Sequence, residues 1–255
     1  DETKKKYLFT FDMDCTILET NTDYDIRDLL NEEEVEEILK QNFSSWGEQV
    51  NTFMLRLKQK GFSVSDIKKR IQQVPLTKGM KEVFSFLDSL RRQGHHLDII
   101  VISGANVCYV KWALEQYDFT DIVNDFHSFH CEEKEGLLVV GPKHEHDCHR
   151  CDPYMCKQKV LKEYASERKD KHDVSYHKLF YFGDGGNDYC PGLAMNDIEK
   201  TENSFLYVRR NYALHEGIYN PDGSLNEKGK KLLSEVVLWD DGVDMLEKIK
   251  ESLSK

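Results

Sequence analysis

The chain has 255 residues, 39% of them hydrophobic and 32% charged, with a formal net charge of −11. That length supports a sizeable core, or a core with a smaller insert, and that composition excludes a disordered chain. The acidic balance argues against nucleic acid or an anionic membrane as the main partner, and no apolar run approaches the ~20 residues of a membrane span.

The first six residues, Asp1 to Lys6, carry no apolar segment of the signal-peptide kind. The chain does not begin with Met, so a trimmed leader is left open. Seven cysteines, of which only Cys148, Cys151 and Cys156 are clustered, do not make a disulfide framework. They suit a reducing compartment, and the expected location is cytoplasmic.

Tyr7 to Phe11 is aromatic and β-branched and reads as a buried strand. It ends in Asp12 and Asp14, with Thr16 following. Two acids one residue apart repel each other and lose hydration on burial. Either they sit in a solvated turn, or a divalent cation with oxygen ligands compensates them.

Residues 25–41 show helical spacing on a charged background, and 44–59 are a second helix candidate. Ser63 opens a third, which Pro75 ends. Residues 19–78 therefore read as a helical insert without strands. Gly79 to Gln93 is an amphipathic helix. His96 to Ile102 is a buried strand that runs into Ser103-Gly104-Ala105-Asn106, with a helix at 107–116. Residues 119–129 give no clear pattern, and 137–140 read as a short strand. A helix is expected from Lys157 to Glu167 and buried strands at 178–182 and 204–208. The strand at 178–182 runs into Gly183-Asp184-Gly185-Gly186-Asn187-Asp188. Residues 243–253 form a last helix.

Strands alternating with helices imply an α/β fold with a parallel sheet, which binds ligands at the carboxyl ends of its strands. Asp12, Asp14, Ser103, Asp184 and Asp188 are all placed at such ends, with Lys157 arriving from a helix. Four carboxylates call for a cation, and hard oxygen ligands suit Mg²⁺. Ser and Lys can hold a phosphoryl group, a carboxylate can attack it, and a second acid can move the proton. Each feature has a plainer reading: a tight turn at 183–188, a helix cap at Ser103, a surface lysine at 157. Their joint occurrence favours the chemistry.

This ensemble resembles the haloacid dehalogenase superfamily of phosphohydrolases, on Asp12-Met13-Asp14-Cys15-Thr16, Ser103, Lys157 and Gly183 to Asp188. The resemblance implies a Rossmann-like parallel-sheet core (1–18 and 79–255) and a small helical cap (19–78) between the first two motifs. It implies Asp12 as nucleophile and Asp14 as general acid/base. Mg²⁺ would be held by Asp12, the Asp14 main-chain carbonyl and Asp184, with Asn187 and Asp188 supporting. Ser103, with Gly104 beside it, and Lys157 would hold the phosphoryl oxygens.

His146 to Cys151, Met155-Cys156-Lys157, Gly186 to Pro191 and Asn21-Thr22-Asp23 are similar to the eukaryotic phosphoethanolamine/phosphocholine phosphatase subfamily, which includes a relative acting on pyridoxal 5′-phosphate. That likeness places Asp23 and Asn21 against the substrate head group. Gly104 departs from it, since the subfamily often has an acid there; a glycine is more like phosphoserine phosphatases. The expected activity is hydrolysis of a small phosphomonoester, with phosphoethanolamine or phosphocholine first and pyridoxal 5′-phosphate or phosphoserine as alternatives. A phosphotransferase is a further option, and a non-catalytic, zinc-stapled binding protein the rival from another class. His144, His146, Cys148, Cys151 and Cys156 have the spacing of a structural Zn²⁺ site; free thiols in a loop are the plainer reading.

Overall fold

The computed structural model describes residues 4–198 and 203–255. Strand β1 (Lys6–Phe11) is followed by helices α1 (Thr22–Arg27), α2 (Glu32–Leu39), α3 (Trp46–Gln59) and α4 (Val64–Gln72). Next come α5 (Met80–Arg92), β2 (His96–Asn106), α6 (Val107–Gln116), β3 (Asp125–Lys134) and β4 (Leu137–Gly141). The chain continues through α7 (Lys157–His172), β5 (Lys178–Gly183), α8 (Tyr189–Ile198), β6 (Ser204–Arg209), α9 (Ala213–Ile218), β7 (Glu235–Trp239) and α10 (Gly242–Ser254). The strands form one sheet in the order β4-β3-β2-β1-β5-β6-β7. Neighbours run parallel except in the β3–β4 hairpin. This is the α/β, Rossmann-like core expected from the alternation of strands and helices. Among the described residues, no helix is long and apolar enough to cross a membrane.

The centre of the sheet is aromatic. In the β1–β5 register Phe9 lies opposite Phe180 and Phe11 opposite Phe182. Their rings stack with centroids 4.4 and 4.3 Å apart. All four are buried, so the pairing gains both apolar area and ring contact. The ladder continues one step past the rings, where the Asp12 N–H donates to the Phe182 carbonyl at 2.9 Å. The ends of β1 and β5 are thereby locked side by side.

Between β1 and α5 the chain leaves the sheet. The two connecting segments run antiparallel: Glu19 N–H donates to Pro75 O and Thr77 N–H to Ile17 O, both at 2.9 Å, around a Leu18–Leu76 bridge. The stretch expected to be one helical run, 25–41, is two helices. Asn31 breaks it, accepting from Glu34 N–H at 2.9 Å while the Glu34 carboxylate returns to Asn31 N–H, a capping box that starts α2. Asn51 on α3 bonds both main-chain groups of Val140, donating to its carbonyl (2.8 Å) and accepting from its N–H (2.7 Å). That contact covers the outward edge of β4, which would otherwise offer free pairing groups.

Residues 119–129, unassigned from the sequence, run into β3. Strand β7 was not expected: its Glu235 is exposed and Val236, Val237 and Leu238 are only half-buried, so it lacks a clear period.

Truncating one partner of the central stack leaves a cavity where the surroundings are already close-packed. Phe182→Ala is expected to cost about 3–5 kcal/mol and Phe182→Leu under about 1.5 kcal/mol, read from urea denaturation midpoints. Equal losses would show that ring contact, not filled volume, is what the position supplies.

Candidate active site

The main chain turns sharply after β1. Cys15 adopts φ 56°, a left-handed conformation rare outside glycine. It is held there on both sides: Cys15 N–H donates to Thr20 O at 3.2 Å, and Arg209 Nη1 donates to Cys15 O at 2.7 Å. Arg209, buried at the end of β6, also grips both Glu19 oxygens at 3.0 and 3.1 Å. Nothing in the sequence marked it for this role. Burial and the charges of Asp184 and Asp14 push the Cys15 thiol up to about 12, so it stays protonated and is a poor nucleophile at neutral pH.

Asp12 begins this turn. Its Oδ1 accepts from Met13 N–H at 2.8 Å and from the Lys157 ammonium at 2.9 Å. Lys157, the first residue of α7, also reaches Asp188 Oδ1 at 2.7 Å. Asp188 is fully buried and satisfied: Tyr181 OH donates to Oδ1 at 2.6 Å, and the Asp184 and Gly185 N–H groups donate to Oδ2 at 3.1 and 3.0 Å. Gly183 makes this seat, since a Cβ there would lie 2.4 Å from Asp188 Oδ2. Asp184 accepts from Thr16 Oγ1 at 3.1 Å.

Oxygens of Asp12, Asp184 and Asp188 lie within 4.8 Å of one another, a set able to hold a metal ion. Burial, then the neighbouring carboxylates, push Asp12 well above the usual carboxylate range against the pull of Lys157. Asp184 rises to about 7 for the same reasons. Burial disfavours the Lys157 ammonium, but Asp12 and Asp188 outweigh it and lift its pKa above the ordinary value. The cluster is thus short of positive charge even with Lys157 in place.

Asp14 points to other partners. Thr22 donates to it twice, from N–H to Oδ1 at 3.1 Å and from Oγ1 to Oδ2 at 3.2 Å. Burial first, and Asp23 next, raise it to about 7. Ser103 is fully buried, and its Oγ accepts from Ala105 N–H at 3.1 Å. It is not the cap of α6; Asn106 is, accepting from Cys108 and Tyr109 N–H. Ser103 Oγ therefore keeps its proton available for a ligand oxygen.

A cavity of about 280 Å³ joins these groups, lined by Asp12, Asp14, Asn21, Asp23, Ser103, Gly104, Asp184 and Asn187 together with Cys15, Gly185, Trp46, Phe129 and Asp152. All the expected site residues line it except Lys157, which is paired with Asp12 at its edge, and Asp188, which is paired with Lys157. Asn21 also caps α1, accepting from Tyr24 N–H at 3.2 Å. Trp46, Phe129 and Asp152 were missed. Trp46 Nε1 donates to Asp23 Oδ2 at 2.6 Å, and Asp152 Oδ2 accepts from Trp46 N–H at 2.6 Å. The other oxygen of Asp23, Oδ1, is buried with no hydrogen-bond partner among the described residues. Burial raises Asp23 to about 6, and the Trp46 bond opposes the rise.

The expected zinc ligands are only partly brought together. Cys148, Cys151 and Cys156 cluster, but the fourth member is Cys190 and neither histidine belongs. His144 Nε2 accepts from Cys156 N–H at 3.0 Å. His146 uses both ring nitrogens on main chain, accepting from Cys148 N–H at 3.2 Å and bonding Asp152 O at 2.9 Å.

The family model described as Putative Phosphatase matches residues 7–253. The chain is 30% identical to the pyridoxal phosphate phosphatase of Bos taurus over 244 residues, covering 94% of this chain and 96% of that one. It is 28% identical to the phosphoethanolamine/phosphocholine phosphatase of Gallus gallus over 254 residues (98% and 90%). Its fold is similar to that of a phosphoserine phosphatase solved as a phospho-aspartyl intermediate analogue, with TM-score 0.59, 18% identity and coverage of 97% and 99%.

The raised carboxyls carry a signed pH dependence. Asp14 and Asp184 titrate at about 7 when folded against an ordinary value of 3.8. Their contribution to stability is complete below 3.8 and lost as pH rises through about 7. In metal-free protein, the Tm of Asp14→Asn relative to wild type should therefore climb as pH goes from ~5 to ~8. A flat difference across that range would contradict a raised Asp14 pKa.

Proposed function

The chain belongs to the putative phosphatase family of the haloacid dehalogenase superfamily, a phosphatase family, and on that premise we propose that it hydrolyses a small phosphomonoester with an ammonium-bearing head group, through an aspartyl-phosphate on Asp12. Phosphoethanolamine and phosphocholine are the leading substrates and pyridoxal 5′-phosphate the alternative. The observation that carries this choice is Asp23 Oδ1, which has no hydrogen-bond partner among the described residues and is buried in the same cavity as Asp12. A buried carboxylate oxygen without a donor is costly; the primary ammonium of phosphoethanolamine supplies both donor and charge, the quaternary ammonium of phosphocholine the charge alone. Trp46 and Phe129 line the same cavity and bring aromatic surface to it, which suits a cation. A cavity of about 280 Å³ suits a small substrate. Gly104 removes the acid often found there in the subfamily, but Asp152 brings another carboxylate to the same space.

The residues divide the work as follows. The Asp12 carboxylate attacks phosphorus, and the bond from phosphorus to the leaving oxygen breaks. Asp14, half-protonated near neutrality, gives that oxygen its proton. Water then attacks the acyl-phosphate, Asp14 takes its proton, and Asp12 is freed with inorganic phosphate. Ser103 Oγ–H and Lys157 Nζ bind the phosphoryl oxygens as charge builds on them.

Three clustered carboxylates against one ammonium fit a divalent cation, and oxygen-only donors fit Mg²⁺. Asp12, Asp184 and the Asp14 main-chain carbonyl would hold it. When bound it neutralises charge on the transferring phosphoryl group. Asp188, whose oxygens are already bonded, would position Lys157 and the 184–185 main chain, with Asn187 beside it. Residues 19–78 would act as a cap over the core formed by 1–18 and 79–255, setting Asp23 and Trp46 over the phosphate site and limiting water. The seven cysteines are unpaired, consistent with a reducing, cytoplasmic setting.

With Mg²⁺ present, Asp12→Asn should reduce kcat by at least about 10³-fold, and Asp14→Asn by roughly 10²–10⁴-fold, in steady-state phosphate release. Residual full turnover in Asp12→Asn would sink the aspartyl-phosphate route. Asp23→Asn should raise KM for phosphoethanolamine about 10-fold or more while leaving glycerol phosphate little changed. A uniform effect on both would remove Asp23 from head-group recognition. Gly104→Asp is sterically open, since a Cβ there meets only Asn187 Nδ2 at 3.5 Å. It tests whether an added carboxylate sharpens the preference for the cationic substrate.

A further inference from the structure

We infer that Cys148, Cys151, Cys156 and Cys190 form a tetrathiolate zinc site that holds the start of α7 against the start of α8. The four sulfur atoms lie within 4.8 Å of one another. Cys148 Sγ is 3.7 Å from Cys151 Sγ and 3.5 Å from Cys190 Sγ. A tetrahedron with Zn–S bonds of about 2.3 Å has edges of about 3.8 Å, so these separations match sulfurs around one ion. They are far from the ~2.05 Å of a disulfide.

The segments carrying the ligands are also of the right kind. Cys148-x-x-Cys151 is a tight pair, Cys156 follows in the same loop, and Cys190 closes the set from a different element. Cys156 and Cys190 are buried, while Cys148 and Cys151 are half-buried, which leaves an entry side. The surroundings suit thiolates. Arg150 Nε donates to Cys190 Sγ at 3.4 Å, offsetting part of the charge that four thiolates leave on a divalent ion. His144 and His146 hold the Cys156 and Cys148 N–H groups, so they shape the loop rather than ligate. On binding, each thiol gives its proton to solvent as its sulfur bonds the metal.

The site has a consequence for the cavity next to it. Cys156 precedes Lys157, and Cys190 lies two residues after Asp188. One ion would fix both ends of the 2.7 Å Lys157–Asp188 pair through the main chain. This assignment does not depend on which phosphomonoester is hydrolysed.

The test is metal content. The full chain, purified under reductant and dialysed against Mg²⁺, should retain one zinc per chain by mass spectrometry of the elements. Cobalt-loaded protein should show the near-ultraviolet charge-transfer and visible bands of a tetrahedral cobalt–thiolate centre. Cys148→Ser and Cys190→Ser should each lose most of the zinc and those bands; Cys108→Ser, outside the cluster, should keep both. If Cys190→Ser does not fold, Cys148→Ser at the half-buried side carries the comparison. Wild-type protein without zinc after anaerobic reconstitution overturns the proposal, as does undiminished zinc in Cys148→Ser. A metal-free chain lighter by the four hydrogens of two disulfides overturns it too.

Discussion

One buried ammonium between two buried carboxylates sets the terms for this molecule. Lys157 sits 2.9 Å from Asp12 and 2.7 Å from Asp188, nearly out of reach of water. Asp184 adds a third carboxylate that Lys157 does not neutralise. Breaking such a pair would leave an uncompensated charge in the interior, so the three residues stand or fall together. The residual negative charge makes the place able to hold a cation. Nearby Asp14 turns to Thr22, which donates to it twice, and burial raises it to about 7 against the pull of those bonds.

The rest of the fold delivers those groups to one point. The stacked rings of Phe9 and Phe180, and of Phe11 and Phe182, fix the β1–β5 register, and that register puts Asp12 beside Asp184. Gly183 leaves the space in which Asp188 folds back over the strand end. Tyr181 faces the same carboxylate from within β5. Trp46, which lines the same cavity, ties together Asp23 and Asp152 through its indole and its own main chain.

Much of this was legible in the residues. Buried strands announced themselves through unbroken aromatic and β-branched runs, and their polar ends marked the residues that line the cavity. Asp12, Asp14, Ser103 and Asp184 were singled out by that logic and line one cavity; Asn187, which lines it too, was singled out only by the family resemblance. What was not legible depends on tertiary contact. Trp46 and Phe129 look like ordinary apolar residues until the helices before α5 are set against the sheet. Tyr181 reads as strand filler, because a hydroxyl in a buried run gives no sign of its partner. The histidines looked like ligands from spacing alone, but main-chain N–H groups had first claim on their nitrogens. Cys190 was passed over because it lies far along the chain from the other three cysteines. Half-buried β7 left no period to read.

Arg209 has a bearing on how the chain acquires this arrangement. It holds the Cys15 carbonyl and Glu19 from 194 and 190 residues away. Strand β1, although made first, lies between β2 and β5, and β5 in turn is flanked by β6. A nascent chain therefore carries Asp12 and Asp14 long before it can seat them. Contacts of such sequence separation are slow to form, because loop closure must precede their reward. The turn that presents Asp12 is completed only when β6 has joined the sheet, and a fragment ending before it would keep the motif without the geometry.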